Sequence, residues 1–414
     1  KKVLVSKPQF IFVFIVAAFL GGCASYSDKV RQSRGLFDSG QYESAAHLLK
    51  ELAEKEDNDE LLYWMDLGIV QHTAGNYEEA VKAFLTADKL AEIKDYTSIS
   101  LEVTSVLFND QVKTYKGENF EKLLINVYLA LDYTMLGKWD DALVECRRVN
   151  QKLDKMIQIA KLPYEKNAFA KYLSAVLFEA RNELNDAFVD YRQMKKWGFE
   201  YPYLPEPLIR VADRLKAGEE FSQYRKEYPE ANDWRFKKGE GEIVFILEQG
   251  KSPIKYPNPQ FELIPLFRRN YYSSDYAWIR DEKGDGKVRS YPLFDIENTA
   301  IRELEAKSAA IIAKKIGGVA AKGAIAAGIG ALTDSKELGQ IAFLALLLTD
   351  KADLRHWSML PARLHFARLR VPAGRRNIVV DIVGNGSTQE GVKKFENVEV
   401  KAGKQTFLIY RTRD

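Results

Sequence analysis

Apolar residues recur at steps of three and four through the first half of the chain and at steps of two near its end. Leu62, Met65 and Ile69 share one helix face, as do Leu124, Val127, Leu131 and Met135, and then Phe169, Tyr172 and Val176. This spacing predicts a series of amphipathic helices running to about Tyr228. The pattern changes at Glu242–Glu248, EIVFILE, a short apolar run rich in β-formers that reads as a buried strand. Pro253, Pro257, Pro259 and Pro265 break the next stretch into short extended pieces. Tyr276–Arg280 and Val288–Tyr291 flank DEKGDG as a hairpin turn; that loop lacks the alternating ligands and distal Glu of a calcium-binding hand. Alternation at Leu364/Phe366 and Ile378/Val380/Ile382, with turns at Pro372-Ala373-Gly374 and Gly384-Asn385-Gly386, predicts a small antiparallel sheet or sandwich.

The helical half repeats itself. Gly40-Gln41-Tyr42 with Ala45, Gly75-Asn76-Tyr77 with Ala80, and Gly137-Lys138-Trp139 with Ala142 share one pattern, and Asn182, Leu184 and Ala187 give a weaker fourth copy. Around the second copy, Trp64, Leu67 and Gly68 precede Gly75, and Phe84 and Ala87 follow it. These residues resemble the tetratricopeptide repeat, a helix–turn–helix unit in which small residues sit where paired helices cross. The resemblance implies an α-solenoid. Its copies are 35, 62 and 45 residues apart, so an insertion is expected near residues 95–122. Such arrays bind ligands on a concave face, which here is lined by Leu62, Met65, Ile69, Leu124, Val127, Leu131, Met135, Phe169 and Tyr172. That groove is apolar and lacks Lys or Arg to clamp a peptide carboxylate. A large open apolar groove invites aggregation, so either the chain's own later segment fills it or a partner's amphipathic helix does.

Residues 297–350 begin as an amphipathic helix and become Gly/Ala-rich. Gly317, Ala321, Ala324 and Gly328 form a small-residue stripe, and residues 338–348 supply a second apolar helix. A helical hairpin packed on the repeat groove is expected. The alternative, insertion into a bilayer during secretion, export or pore formation, is opposed by Lys314, Lys315 and Lys322, each costing about 2.5–3.5 kcal/mol near a bilayer centre.

Lys1, Lys2 and Lys7 precede an apolar run from Phe10 to Leu20, followed by Leu20-Gly21-Gly22-Cys23. A basic start, a short apolar run and small residues describe an export signal over residues 1–22. The four residues ending in Cys23 resemble the bacterial lipobox, which implies diacylglycerol and a further acyl chain on the mature amino terminus at Cys23. Two or more acyl chains anchor a protein stably. In the sorting system this pattern resembles, an Asp after the cysteine favours the inner membrane; Ala24 therefore points to the outer membrane, with the protein facing the periplasm.

Composition narrows the field further. The chain has 414 residues, 46% hydrophobic and 29% charged, an ordinary globular balance. Its formal charge of +3 matches the three lysines before Cys23, so the remainder is formally neutral. Nucleic acid is not an expected partner. Only Cys146 remains after Cys23, so no internal disulfide forms there; it reads as a small buried hydrophobe. His47, His72, His356 and His365 show no metal-ligand spacing, and VKAGKQT at 400–406 lacks the upstream glycine of a phosphate loop. No catalytic residues, metal or cofactor are predicted, and an enzyme is not expected.

Four blocks in order, at residues 115–150, 167–194, 241–255 and 352–374, are together similar to an uncharacterised family of bacterial tetratricopeptide-repeat envelope lipoproteins. That resemblance implies a periplasmic or outer-membrane protein partner, and some members are encoded near lipoproteins that activate peptidoglycan synthases. The expected fold is α+β: a tetratricopeptide-like array over residues 23–231, β segments over 241–296 and 351–414 forming a small antiparallel module, and the Gly/Ala-rich hairpin between them. The expected role is a protein-interaction scaffold in cell-envelope assembly.

Overall fold

In the computed structural model, residues 25–96, 114–160, 166–232, 234–308 and 352–412 are described, together with 311, 327 and 340. After a short helix α1 (Tyr26–Lys29), five helical hairpins come in turn: α2 (Arg31–Asp38) with α3 (Tyr42–Ala53), α4 (Glu60–Ala74) with α5 (Tyr77–Tyr96), α6 (Asn119–Met135) with α7 (Trp139–Ala160), α8 (Ala168–Ala180) with α9 (Leu184–Lys196), and α10 (Pro205–Arg214) with α11 (Gly218–Glu227).

One turn closes all five. At Gly75 the N–H donates to the His72 carbonyl three residues back, and the Asn76 N–H donates to Gln71, five back. The same two bonds recur at Gly40, Gly137, Asn182 and Lys216, all left-handed with φ between 57° and 81°. This double closure satisfies carbonyls that a helix end would otherwise leave bare. The fifth hairpin was not expected as a repeat, because its left-handed position holds Lys216 where glycine or asparagine marks the others. Where α4 and α5 cross, a Cβ on Gly68 would lie 2.3 Å from the Phe84 ring, which is why the position is glycine. The expected insertion is shorter at its end than the sequence suggested. Residues 97–113 lie outside the described residues, Tyr115 returns to donate its N–H to the Asn58 carbonyl at 2.8 Å, and α6 already begins at Asn119.

The two β segments come together in one unit. β1 (Glu240–Gln249), β6 (Tyr291–Asp295), β7 (Arg363–Pro372) and β10 (Gln405–Arg411) make an inner sheet in the order β10-β1-β7-β6. β4 (Ser274–Asp281), β5 (Lys287–Arg289), β8 (Gly374–Gly384) and β9 (Gln389–Val400) make an outer sheet in the order β5-β4-β8-β9. β2 (Ile254–Asn258) and β3 (Phe261–Arg268) pair separately. The DEKGDG turn joins β4 to β5 as expected, but Tyr291 belongs to the other sheet, since the chain changes sheets at Ser290. The module is not wholly antiparallel: β1 and β10 run parallel. β1 is antiparallel to β7, and three chain reversals, at 373–374, 385–388 and 401–404, separate β7 from β10 and leave β10 pointing along β1.

The run EIVFILE is explained by burial on both faces. Ile243, Phe245 and Leu247 pack between the sheets with Ile279, Ile378 and Val380. Val244 and Ile246 point the other way, into one core shared with Leu124, Tyr172 and the rest of the helical array. Each such side chain contributes about 1.5–3 kcal/mol of burial. The molecule therefore has three layers: helices, inner sheet, outer sheet. A helix over residues 296–308 follows β6, started by Asp295, whose carboxylate accepts the Asn298 N–H at 2.7 Å. Apart from residues 311, 327 and 340, the rest of the expected Gly/Ala hairpin lies outside the described residues, as does Cys23.

Candidate functional site

The residues predicted to line a groove lie in the interior. Leu62, Met65, Ile69, Leu124, Val127, Leu131, Phe169 and Tyr172 are all buried, and Met135 is partly so. Phe366 on β7 packs on Phe169 at 4.8 Å and on Tyr172 at 5.2 Å between ring centres. Trp357, in the segment leading to β7, sits against Phe84 and Tyr128, each at 6.0 Å. The chain's own later part fills the groove, one of the two occupants the sequence allowed. What fills it is the inner sheet and residues 352–362. The eight buried positions therefore offer a partner no open surface.

Charged groups pin this joint. His72 on α4 meets Asp132 on α6 through Nδ1, and its Nε2 lies 3.5 Å from Glu248 Oε1 on β1. Burial opposes the imidazolium, but Asp132 and Glu248 outweigh it and hold the pKa up to about 10. Arg368 on β7 donates from Nε to Glu242 at 2.9 Å and from Nη1 to the Tyr172 hydroxyl at 3.1 Å. Glu179 on α8 accepts from Arg210 Nε at 2.6 Å and from the Tyr191 hydroxyl at 2.8 Å. Burial would raise its carboxyl, yet Arg210 and Arg368 hold it down to about 2. A third anchor is Glu121, which accepts the Trp357 backbone N–H at 2.7 Å and the Tyr115 hydroxyl at 2.6 Å. Burial and the neighbouring Glu118 push it up to about 7. Among the charged side chains here, sequence reasoning singles out His72 alone. The available signal is an acid inside an apolar run: Asp132 in LALDYTM, Glu179 in VLFEA, Glu248 ending EIVFILE.

Cys146 is buried, and burial pushes its thiol up to about 12, consistent with packing rather than reactivity. Among the described residues no group of three or more His, Cys, Asp or Glu is placed to hold a metal ion. No described helix is long and apolar enough to cross a membrane.

Among the described residues, two open features stand out. On the second helices of three hairpins, Leu85 of α5, Val144 of α7 and Val189 of α9 are large apolar side chains left in solvent. At the far end of the array a cleft of about 440 Å³ opens between α10, residues 234–236 and the β9–β10 turn. Glu179 and Arg210 lie at its base, Trp234 and Phe236 form a wall, and Asp213, Arg214, Arg235 and Lys404 surround it. Sequence reasoning places no site here, because the cleft joins residues that lie far apart in the chain.

No family model matches this sequence, and no curated protein does. Among solved structures, a MamA RS-1 double mutant aligns at 15% identity over 49% of this chain and 94% of its own, with a TM-score of 0.32. MamA 41-end from Desulfovibrio magneticus RS-1 aligns at 18% identity over 50% and 98%, with a TM-score of 0.30. Another MamA crystal structure aligns at 13% over 51% and 97%, at 0.31. Superpositions this loose carry no function across.

Proposed function

We propose that this protein is a non-enzymatic interaction scaffold, tethered by lipid on Cys23 to the periplasmic face of a bacterial outer membrane, where it holds protein partners during cell-envelope assembly near peptidoglycan synthesis. One observation carries the scaffold reading. The concave face is closed by the chain's own β module, so the repeats present a braced platform whose solvent side carries Leu85, Val144 and Val189 on successive second helices. Apolar side chains held on a rigid frame suit docking of a partner at low entropic cost. The tether and its compartment rest on the sequence pattern around Cys23.

Photo-crosslinkers placed at Val144 and Val189 in intact cells test the scaffold. Discrete adducts with envelope proteins are expected, and the absence of protein adducts from both positions would overturn it. Cys23→Ala tests the tether: release into the soluble periplasm is expected. Retention of that variant in alkali-washed membranes would point instead to insertion through residues 297–350.

A further inference from the structure

We infer that the cleft between α10, residues 234–236 and the β9–β10 turn binds a carboxylate-bearing peptide segment of a partner protein. The inference rests on the scaffold reading and adds to it the chemistry of one docking point.

The cleft has more positive charge than its own acids answer. Arg210, Arg214, Arg235 and Lys404 line it against only Glu179 and Asp213. Both acids are already engaged. Glu179 accepts from Arg210 and Tyr191, and Asp213 takes Arg235 Nη2 on both oxygens, at 3.1 and 2.9 Å. Arg214 donates to the neutral Asn182 side chain. Among the described residues, neither Arg214 nor Lys404 has an acidic partner. At the base, Arg210 is only 4% exposed; its Nε goes to Glu179 and its Nη1 to the Trp234 carbonyl at 3.2 Å, while Nη2 has no hydrogen-bond partner. A buried guanidinium N–H left without an acceptor is a costly arrangement, and the residue that carries it lines the cleft.

The lining selects a carboxylate attached to a chain over a small dianion. Arg235 stacks on the Trp234 ring at 4.2 Å and Arg210 on Phe236 at 5.2 Å, so the cations are set beside flat apolar walls. Such walls fit the side chains next to a peptide carboxylate. The cleft opens at the edge of the joint, with Glu179 and Arg210 shared between the two and the β9–β10 turn forming one side.

Calorimetry on the mature protein tests this with the probe Ac-Gly-Ser-Asp-Glu-Phe as the free acid. The comparison probes are its Asn/Gln, carboxy-amidated analogue and inorganic phosphate. The acidic peptide is expected to bind, and Arg214→Gln with Lys404→Gln to weaken it about tenfold, as expected for loss of charge-assisted bonds. Both substituted side chains are exposed, so the melting curve should not move. Lys401→Gln, outside the lining, should leave binding unchanged. Equal binding of the amidated analogue, an unchanged affinity in the double variant, no binding at all, or phosphate binding as tightly as the peptide would each overturn the assignment. If crosslinks from Val144 and Val189 persist while the peptide fails to bind, the cleft assignment falls and the scaffold stands. Peptide binding with no crosslinks keeps the cleft and removes the scaffold.

Discussion

His72 Nε2 and Glu248 Oε1 stand 3.5 Å apart across the joint between the first helix of the second hairpin and the central strand of the inner sheet. Both side chains are almost wholly buried, and Arg411 Nη1 reaches within 4.0 Å of the same carboxylate. Glu248 thus balances two cations that belong to different layers.

Glu248→Gln should therefore loosen the joint. Removing one partner of a buried pair strands the other charge, at a cost of about 3–5 kcal/mol, measurable by urea unfolding at pH 7. The pH profile adds a signature. The folded pKa of His72, about 10, lies above the unfolded value of 6.5, so its stabilisation is full below 6.5 and is lost as pH rises through 10. Across that window wild-type stability should fall by about 1.4 kcal/mol per pH unit from this group. Asp132, which burial pushes up to about 6, titrates below the window, and Tyr77, raised by burial to about 12, titrates above it. In the Glu248→Gln protein the alkaline slope should shrink; an unchanged slope would remove His72 from the account.

The β module should be sensitive to acid, with the opposite sign. His356 and His365 are buried without a carboxylate partner, and burial depresses both to about 3. His365 shares a hydrogen bond with Gln249 at 2.7 Å and His356 with the Leu354 carbonyl at 3.0 Å; burial, with Arg363 and Arg289 near His365 and Lys255 and Arg34 near His356, outweighs these bonds and keeps each ring neutral. Their contribution is full above pH 6.5 and lost as pH falls toward 3. At pH 5 each should have given up about 2 kcal/mol. His365→Asn should flatten the profile between pH 7 and 5 while lowering stability at pH 7. Denaturant midpoints at a series of pH values would show whether the profile moves.

Lys216 should be a weak point in the fifth hairpin. It holds the left-handed conformation that glycine fills at Gly40, Gly75 and Gly137, and a residue with a Cβ is strained there by about 1–2 kcal/mol. Lys216→Gly should raise stability by about 1 kcal/mol, less some loss of unfolded-state restriction. Gly137→Ala should lower it. A thermal melt of each distinguishes relief from indifference.

Lys216 also shows where sequence reading stopped. Four hairpins announced themselves because glycine or asparagine is the cheap solution to one backbone angle; the fifth uses the same hydrogen bonds with a residue that gives no sign of them. EIVFILE was legible as a buried strand because burial on both faces leaves no polar alternation. Its parallel partner β10 was not, since direction depends on the number of chain reversals between them and not on any local pattern. The groove positions were legible from helical spacing, but their occupant required long-range contacts such as Phe169 with Phe366. The cleft was invisible for the same reason: Arg210, Trp234 and Lys404 meet only after the sheet has docked.

Trp357 gives the most direct check on that docking. It is 1% exposed, packed edge-on to Phe84 and tilted against Tyr128, with its backbone N–H held by Glu121. Trp357→Ala removes the largest side chain that the filling segment puts into the concave face. It should cost about 3–5 kcal/mol and expose apolar surface that binds a hydrophobic dye in the otherwise folded protein. Val144→Ala, on the solvent side of the array, should stay within about 0.5 kcal/mol and bind no more dye than wild type. The contrast matters because both are apolar residues on or against repeat helices, and only seating of the later segment separates them. Equal and small effects would mean that residues 352–362 do not rest in the groove, and the eight buried positions would again be free to meet a partner.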